Sequence, residues 1–312
     1  MRVLMISGDR NLLALGTEAN RRLQLQRSQV EHLEVFVWPQ LHSLCAIFQA
    51  TQGARYDVVT AQDPFWRGLV AALLAHRSGA KLNIQVHTDT AAETKSKPIR
   101  LILSRIILRR ADSVRVVSER IKKQIERYVK IPIAVLPIFI NVEKFKNLPD
   151  RRTPSYKTIL WIGRFEEEKD PLRAIAVLKE VLMEIDNARL IVLGTGSLEQ
   201  KFSELAATLH LEHRIERRGW EPDPVVAFEI ADVVLSTSIY ESFGAGIIEA
   251  LAAGVPVVAP DVGVAREAGA IIANRLELAQ KVIEVLKNDV RGQLRLNLPN
   301  GEAWARAWKE TL

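Results

Sequence analysis

The chain has 312 residues, of which 48% are hydrophobic and 26% charged, with a formal net charge of +6 and a pI near 9.5. That length and balance suit a globular protein with two α/β domains and exclude a low-complexity or fibrous chain. One cysteine, Cys45, excludes an internal disulfide and a cysteine-based zinc site, and the absence of an 18-residue apolar run excludes a membrane-spanning helix.

The opening Met1-Arg2-Val3-Leu4-Met5-Ile6-Ser7 is too short for a signal peptide and reads as a first strand. Short apolar runs then alternate with helical patterns. In the first half, strands are predicted at 3–7, 33–37, 58–61, 82–86, 113–117 and 133–136, with helices near 17–27, 42–51, 66–78, 97–110 and 119–129. In the second half, strands are predicted at 158–162, 189–193, 215–218, 233–236 and 257–259, with helices near 170–185, 197–209, 223–229, 244–253 and 275–288. Alternation of this kind means parallel sheets covered on both faces, and two such series imply two Rossmann-like domains. The linker is expected in 147–155, which has two prolines and no apolar periodicity. The expected division is 1–150, 151–300 and a final helix from 301 to 312, whose Trp304 and Trp308 share a face and suit docking back on the first domain.

The two halves differ in charge. Residues 1–150 hold 23 Lys+Arg against 13 Asp+Glu, and residues 151–312 hold 20 against 24. Such asymmetry points to an anionic partner of the first half, against the simpler reading of a solvated basic face.

Open parallel sheets bind ligands at the carboxyl ends of their strands, so the loops after strands carry the argument. After 233–236 comes Glu241-Ser242-Phe243-Gly244-Ala245-Gly246-Ile247-Ile248-Glu249. One carboxylate falls in the strand-to-helix loop and the other about one and a half turns into the helix. A helix start with free N–H groups between two carboxylates suits a ligand with a phosphate in the middle and hydroxyls at both ends, the shape of a nucleotide sugar. After 158–162 comes Gly163-Arg164-Phe165, with Lys169 in the same loop, a fork and a point charge for a diphosphate. The alternative is that Lys169 pairs with the neighbouring glutamates. After 189–193 comes Gly194-Thr195-Gly196-Ser197, where turn chemistry and a serine helix cap are the plain alternative, and after 215–218 comes Gly219-Trp220.

These segments, with Ala231-Asp232 and Ala253-Gly254-Val255-Pro256-Val257-Val258-Ala259, resemble retaining glycosyltransferases of family 4 over roughly 160–260. The resemblance implies the two-domain GT-B fold, two Rossmann-like doubly wound parallel sheets facing across a cleft, and a hexosyltransferase-type enzyme. It implies that Arg164 and Lys169 bind the donor diphosphate, that Glu249 binds the ribose, and that Glu241 lies against the donor sugar. The backbone of Phe243, Gly244 and Ala245, beside Ser242, would hold sugar and phosphate; Gly163, Gly194 and Gly196 would line the donor, and Gly219 would flank the base. In the first half, Gln85-Val86-His87-Thr88-Asp89 resembles the family strand ending in a histidine that faces the donor sugar. Gly8-Asp9-Arg10-Asn11-Leu12 stands where family members carry a Gly-Gly pair, so Gly8 is the counterpart there and Arg10 a second group for a phosphate. Ile138-Phe139-Ile140 departs from the usual Pro-Asn-Gly, and the segment after Gly263 is shorter than usual.

No Asp-x-Asp motif occurs, so no metal and no cofactor is expected beside the nucleotide-sugar donor. The resemblance implies a sugar or lipid-linked acceptor in cell-envelope polysaccharide or glycolipid synthesis, and a protein in the cytoplasm or peripheral at the inner face of the membrane. Helix 97–110 mixes Lys97, Arg100, Arg105, Arg109 and Arg110 with seven apolar residues, which fits an anionic lipid surface or a core helix with snorkelling side chains. A nucleotide-sugar epimerase or hydrolase and a non-catalytic GT-B module are the competing readings. A basic stripe interleaved with aromatics is missing, which argues against nucleic acid, and a Gly-x-Gly-x-x-Gly after the first strand is missing, which argues against a dehydrogenase.

Overall fold

The structure, a computed structural model, describes residues 1–38, 47, 51, 53–95, 97–153, 155–221 and 223–312. Apart from Ile47 and Thr51, the helix predicted at 42–51 lies outside the described residues, as do Cys45 and Pro154. The chain forms two compact units, Met1–Phe139 with Leu298–Leu312, and Ile140–Asn297.

In the first unit, β1 (Arg2–Ser7), β2 (His32–Val37), β3 (Val58–Ala61), β4 (Lys81–Val86), β5 (Ser113–Val116) and β6 (Ile133–Val135) form one parallel sheet in the order β2-β1-β3-β4-β5-β6. Helices α1 (Glu18–Arg27), α2 (Trp66–Ser78), α3 (Thr90–Thr94), α4 (Pro98–Arg110) and α5 (Glu119–Ile125) connect the strands. Pro98 begins α4 because its missing N–H costs nothing in the first turn. In the second unit, β7 (Lys157–Ile162), β8 (Ala188–Leu193), β9 (Ile215–Gly219), β10 (Val233–Leu235), β11 (Val257–Ala259) and β12 (Ile271–Ile272) run parallel in the order β12-β11-β10-β7-β8-β9. Its helices are α6 (Pro171–Val181), α7 (Glu199–Thr208), α8 (Val225–Glu229), α9 (Ala245–Ala252), α10 (Ala265–Ala268) and α11 (Leu278–Asn288).

Repeated aspartates pin neighbouring strands together. Asp57 accepts the Arg2 amide at 2.6 Å, Asp112 the Leu82 amide at 2.7 Å, and Asp232 the Thr158 amide at 2.7 Å. Each stands just before a strand and takes the first or second N–H of the adjacent one, satisfying a donor that the ladder leaves over. The family's Ala-Asp segment is therefore strand anchoring in this chain. Burial raises the carboxyl pKa of Asp232, the Thr158 amide opposing it.

The final helix, α12 (Gly301–Glu310), belongs to the first unit. Asn300 caps it by accepting the Ala303 amide at 2.9 Å. Trp304 and Trp308 lie one turn apart, both fully buried against Val3, Met5, Leu23 and Leu33. The indole of Trp304 donates to the Pro137 carbonyl at 2.8 Å, and Asn83 and Ser113 donate to the carbonyls of Thr311 and Leu312. The 147–155 segment lies within the second unit, where Arg152 bridges Asp150 and Asp289.

Both sheets have a point where the chain reverses its direction of growth. It lies between β1 and β3 in the first and between β7 and β10 in the second. Ligands of open α/β sheets bind outside the strand ends at such points.

Candidate active site

At the switch point of the second sheet, the loop leaving β7 meets the loop leaving β10. Lys169 pairs with Glu241, 72 residues away, and Ser238 Oγ donates to the same carboxylate oxygen at 2.9 Å. The backbone behind Lys169 is fixed from the core. Trp161 Nε1 donates to Thr237 Oγ1 at 2.9 Å, and that hydroxyl donates to the Lys169 carbonyl at 2.7 Å. Arg164 stands apart, 71% exposed, and pairs with Glu168. It is thus Arg164, not Lys169, that takes a neighbouring glutamate.

The glycines make close backbone packing possible. A Cβ on Gly194 would lie 1.8 Å from the Gly163 carbonyl oxygen, and φ of Gly194 is +131°. Gly163 donates to the Leu193 carbonyl at 3.0 Å, and Gly194 donates to that of Gly219, so the ends of β7, β8 and β9 are stitched side by side. A Cβ on Gly196 would meet the Phe165 carbonyl at 2.7 Å. Ser197 does not cap α7; its N–H and Oγ donate to Glu166 at 3.1 and 2.7 Å, and these bonds hold the Glu166 carboxyl below the usual range.

Gly244 caps α9 in the left-handed region with φ +95° and no side-chain bond, so the helix start presents backbone alone. Ala245 opens the helix, and Glu249 lies in its second turn, half-buried. Phe243 is buried and its carbonyl accepts the Val264 amide at 3.0 Å, so its side chain serves the core. The short segment after Pro260 packs here: a Cβ on Gly263 would lie 2.4 Å from the Phe243 oxygen. Arg164, Lys169, Glu241, Ser242 and Gly244 thus sit on the two loops at one switch point, with Glu249 in the second turn of the helix that follows.

His87 and Gly8 belong to the first unit and line one cavity of about 340 Å³ at its own switch point. Burial, with Arg115 and Arg22 nearby, pushes the His87 pKa well below 6.5, so the ring is neutral at physiological pH. Its Nε2 is buried without a hydrogen-bond partner among the described residues. Gly8 leaves room for Arg67: a Cβ there would lie 2.2 Å from the guanidinium.

Family comparison decides the class. The model described as glycosyl transferases group 1 matches residues 144–300, and that of the glycosyl transferase 4-like domain matches residues 9–138. The chain belongs to the group 1 glycosyltransferase family. Among curated relatives, the phosphatidyl-myo-inositol mannosyltransferase of Mycobacterium leprae is 31% identical over 173 residues, covering 50% of this chain and 44% of that one. The alpha-monoglucosyldiacylglycerol synthase of Streptococcus pneumoniae is 28% identical over 226 residues, covering 65% and 51%. The first four curated relatives are matched over only 28% to 51% of their own length. Anabaena HepE in complex with UDP-glucose superposes with a TM-score of 0.74 at 18% identity, covering 98% of this chain and 94% of that one, which shows the shared GT-B fold.

Within this group 1 chain, sequence reasoning passed over Thr237, Ser238 and the cavity arginines Arg22, Arg67 and Arg115. Arg115 did carry a signal: it is a charge inside the apolar strand Val114-Arg115-Val116, and it is 1% exposed.

Proposed function

We propose that the chain transfers a sugar from a nucleoside-diphosphate sugar to an acceptor hydroxyl with retention of configuration, in cell-envelope glycolipid or polysaccharide synthesis. The observation that carries this reading is the Lys169–Glu241 pair, set just before the bare start of α9 at the switch point of the second sheet, with Arg164 in the same loop as Lys169. The bond from the anomeric carbon to the donor phosphate oxygen breaks, and the bond to the acceptor oxygen forms on the same face. The acceptor proton passes to the departing phosphate. Charge on that phosphate is met by Arg164, Lys169 and the N–H groups of α9, so this donor set needs no metal. Glu249 holds the ribose and Glu241 the sugar. HepE, which shares the fold, was captured with UDP-glucose, which supports a nucleotide-sugar donor. A thermal-shift panel of UDP-, GDP- and ADP-sugars tests the assignment, because a specific donor stabilises by mass action. One donor class should raise Tm, and Glu249→Ala should abolish the rise while remaining folded. No shift with any donor sinks the reading. Conversion of donor alone, followed by NMR, would favour an epimerase or hydrolase instead.

A second element of the proposal is an anionic lipid surface as the place of work. Ile99, Ile102 and Ile106 form an exposed stripe on α4, and Trp66 and Leu73 are exposed on α2, which packs against it. Lys97, Arg109 and Arg110 flank that stripe and are exposed. An apolar stripe rimmed with cations fits an interfacial helix. Two relatives named for lipid products or acceptors agree with it. Flotation with phosphatidylglycerol vesicles should recover the protein, and Ile102→Asp with Ile106→Asp should release it. Equal recovery of both forms would remove the membrane from the proposal.

A further inference from the structure

The cavity of the first unit contains a positive charge that its own residues do not balance. Arg22 lies 3.7 Å from the Asp9 carboxylate, and Arg67 pairs with Asp63. Arg115 has no carboxylate partner among the described residues. Its Nε and Nη2 donate to the Leu136 carbonyl at 3.1 and 3.0 Å, Nη2 also donates to the Pro137 carbonyl at 2.9 Å, and Nη1 donates to Gln85 Oε1 at 2.7 Å. The Trp304 ring centroid is 5.5 Å from its guanidinium carbon. All of these partners are neutral. Burial, then Arg22, pushes the Arg115 pKa down to about 9, so the group is still a cation at neutral pH. A buried cation held only by neutral groups carries a large desolvation cost that an anion would offset.

Three further polar atoms of the cavity wall, Arg67 Nε, His87 Nε2 and Thr88 Oγ1, are buried with no hydrogen-bond partner among the described residues. They come from different directions. Arg67 lies over Gly8 at the end of β1, His87 and Thr88 follow β4, and Arg115 stands in β5. A planar carboxylate offers two oxygens, whereas a tetrahedral phosphoryl group offers three and meets guanidinium forks from several sides. A volume of about 340 Å³ is that of a small ligand site, with room for a phosphoryl group and the polyol that carries it.

We propose that this cavity seats a phosphoryl group on the acceptor, so that the glycosyl acceptor is a phosphorylated polyol or sugar bound through Arg115, Arg67 and Thr88. The acceptor role rests on the transferase reading above; the anion site itself does not. Calorimetry with inorganic phosphate, glycerol 3-phosphate and glycerol tests it, beside separate titrations with UDP, GDP and ADP. Both phosphate compounds should bind and glycerol should not. Arg67→Gln should weaken their binding at least tenfold, and so should Arg115→Met where circular dichroism shows it folded. Phosphate should leave nucleotide affinity unchanged. Phosphatidylglycerol vesicles form a further arm: Arg67-dependent flotation assigns the phosphoryl group to a lipid headgroup, and Arg67-dependent binding of glycerol 3-phosphate alone assigns it to a soluble phosphomonoester, and both support the site. Unchanged phosphate binding in Arg67→Gln, equal binding of glycerol, or competition between phosphate and nucleotide would overturn it. Nucleotide binding without phosphate binding defeats this inference and leaves the transferase; phosphate binding without any nucleotide binding leaves the anion site and defeats the transferase, and the acceptor role with it.

Discussion

The Lys169 ammonium is paired with the Glu241 carboxylate, joining the loop after β7 to the loop after β10. Both side chains are mostly buried, at 20% and 16% exposure, so each is held in place rather than sampling solvent. The pair sets the spacing between the phosphate-directed cation and the sugar-directed carboxylate of the proposed donor site.

Lys169→Met removes the cation and leaves the mostly buried Glu241 with only Ser238 as partner among the described residues. The stability cost should be about 1–3 kcal/mol, the range for an orphaned polar partner. Transfer should fall by about two to three orders of magnitude, because the proposed donor to the leaving group would be lost. The double variant with Glu241→Gln should regain much of the stability and none of the transfer. Thermal melts and kcat/KM on the same samples separate the two effects, and near-native transfer in Lys169→Met would remove Lys169 from the donor site.

Thr237→Val keeps the shape of a fully buried side chain and deletes one hydroxyl. That hydroxyl accepts from Trp161 and donates to Lys169, so the change orphans a buried indole N–H and frees the Lys169 backbone. We expect a loss of about 1–3 kcal/mol in urea unfolding. Nucleotide affinity should also drop, since the lysine is held through this carbonyl. Thr237→Ser, which keeps the hydroxyl, should restore affinity. A Val variant with unchanged affinity would show that the link supports the core alone.

His87 gives a pH dependence with a definite sign. Burial first, then Arg115 and Arg22, hold its folded pKa well below the ordinary 6.5. As pH falls below about 6.5 the unfolded chain gains this proton and the native protein does not. This contribution therefore lowers stability as pH falls, with a slope of up to about 1.4 kcal/mol per pH unit, and vanishes above pH 7. His87→Gln should flatten the stability curve between pH 7 and 5. An imidazole titrating near 6.5 by NMR would refute the assignment.

Strand ends and glycines were legible because buried parallel strands are short apolar runs punctuated by residues that permit sharp exits. Gly163, Gly194 and Gly219 stand at such exits, Gly244 stands at a helix start, and the expected strands match the observed ones closely. Strand β12 escaped because two residues carry no periodicity, and α10 because four residues barely make one turn. Pairings across long separations were not legible. Nothing local ties Lys169 to Glu241, or Arg115 to the carbonyls of Leu136 and Pro137; those follow from strand order. The roles of Trp161 and Thr237 were hidden for the same reason, their bond spanning 76 residues.

The last helix offers the sharpest test of how the first unit is held together. Trp308 is fully buried in a cluster with Val3, Met5 and Leu23, although it lies at the opposite end of the chain from β1. Its indole nitrogen has no hydrogen-bond partner among the described residues, so the contribution there is packing. Trp308→Ala should cost about 3–5 kcal/mol, the range for emptying a buried aromatic site. Trp308→Phe should cost far less, because most of the apolar volume stays and the unpartnered N–H disappears. The loss should show in the first unit: hydrogen exchange in β1 and α1 should accelerate, while the sheet around β7 and β10 keeps its protection. Slow exchange retained in β1 of Trp308→Ala would mean that α12 covers the first unit without stabilising it.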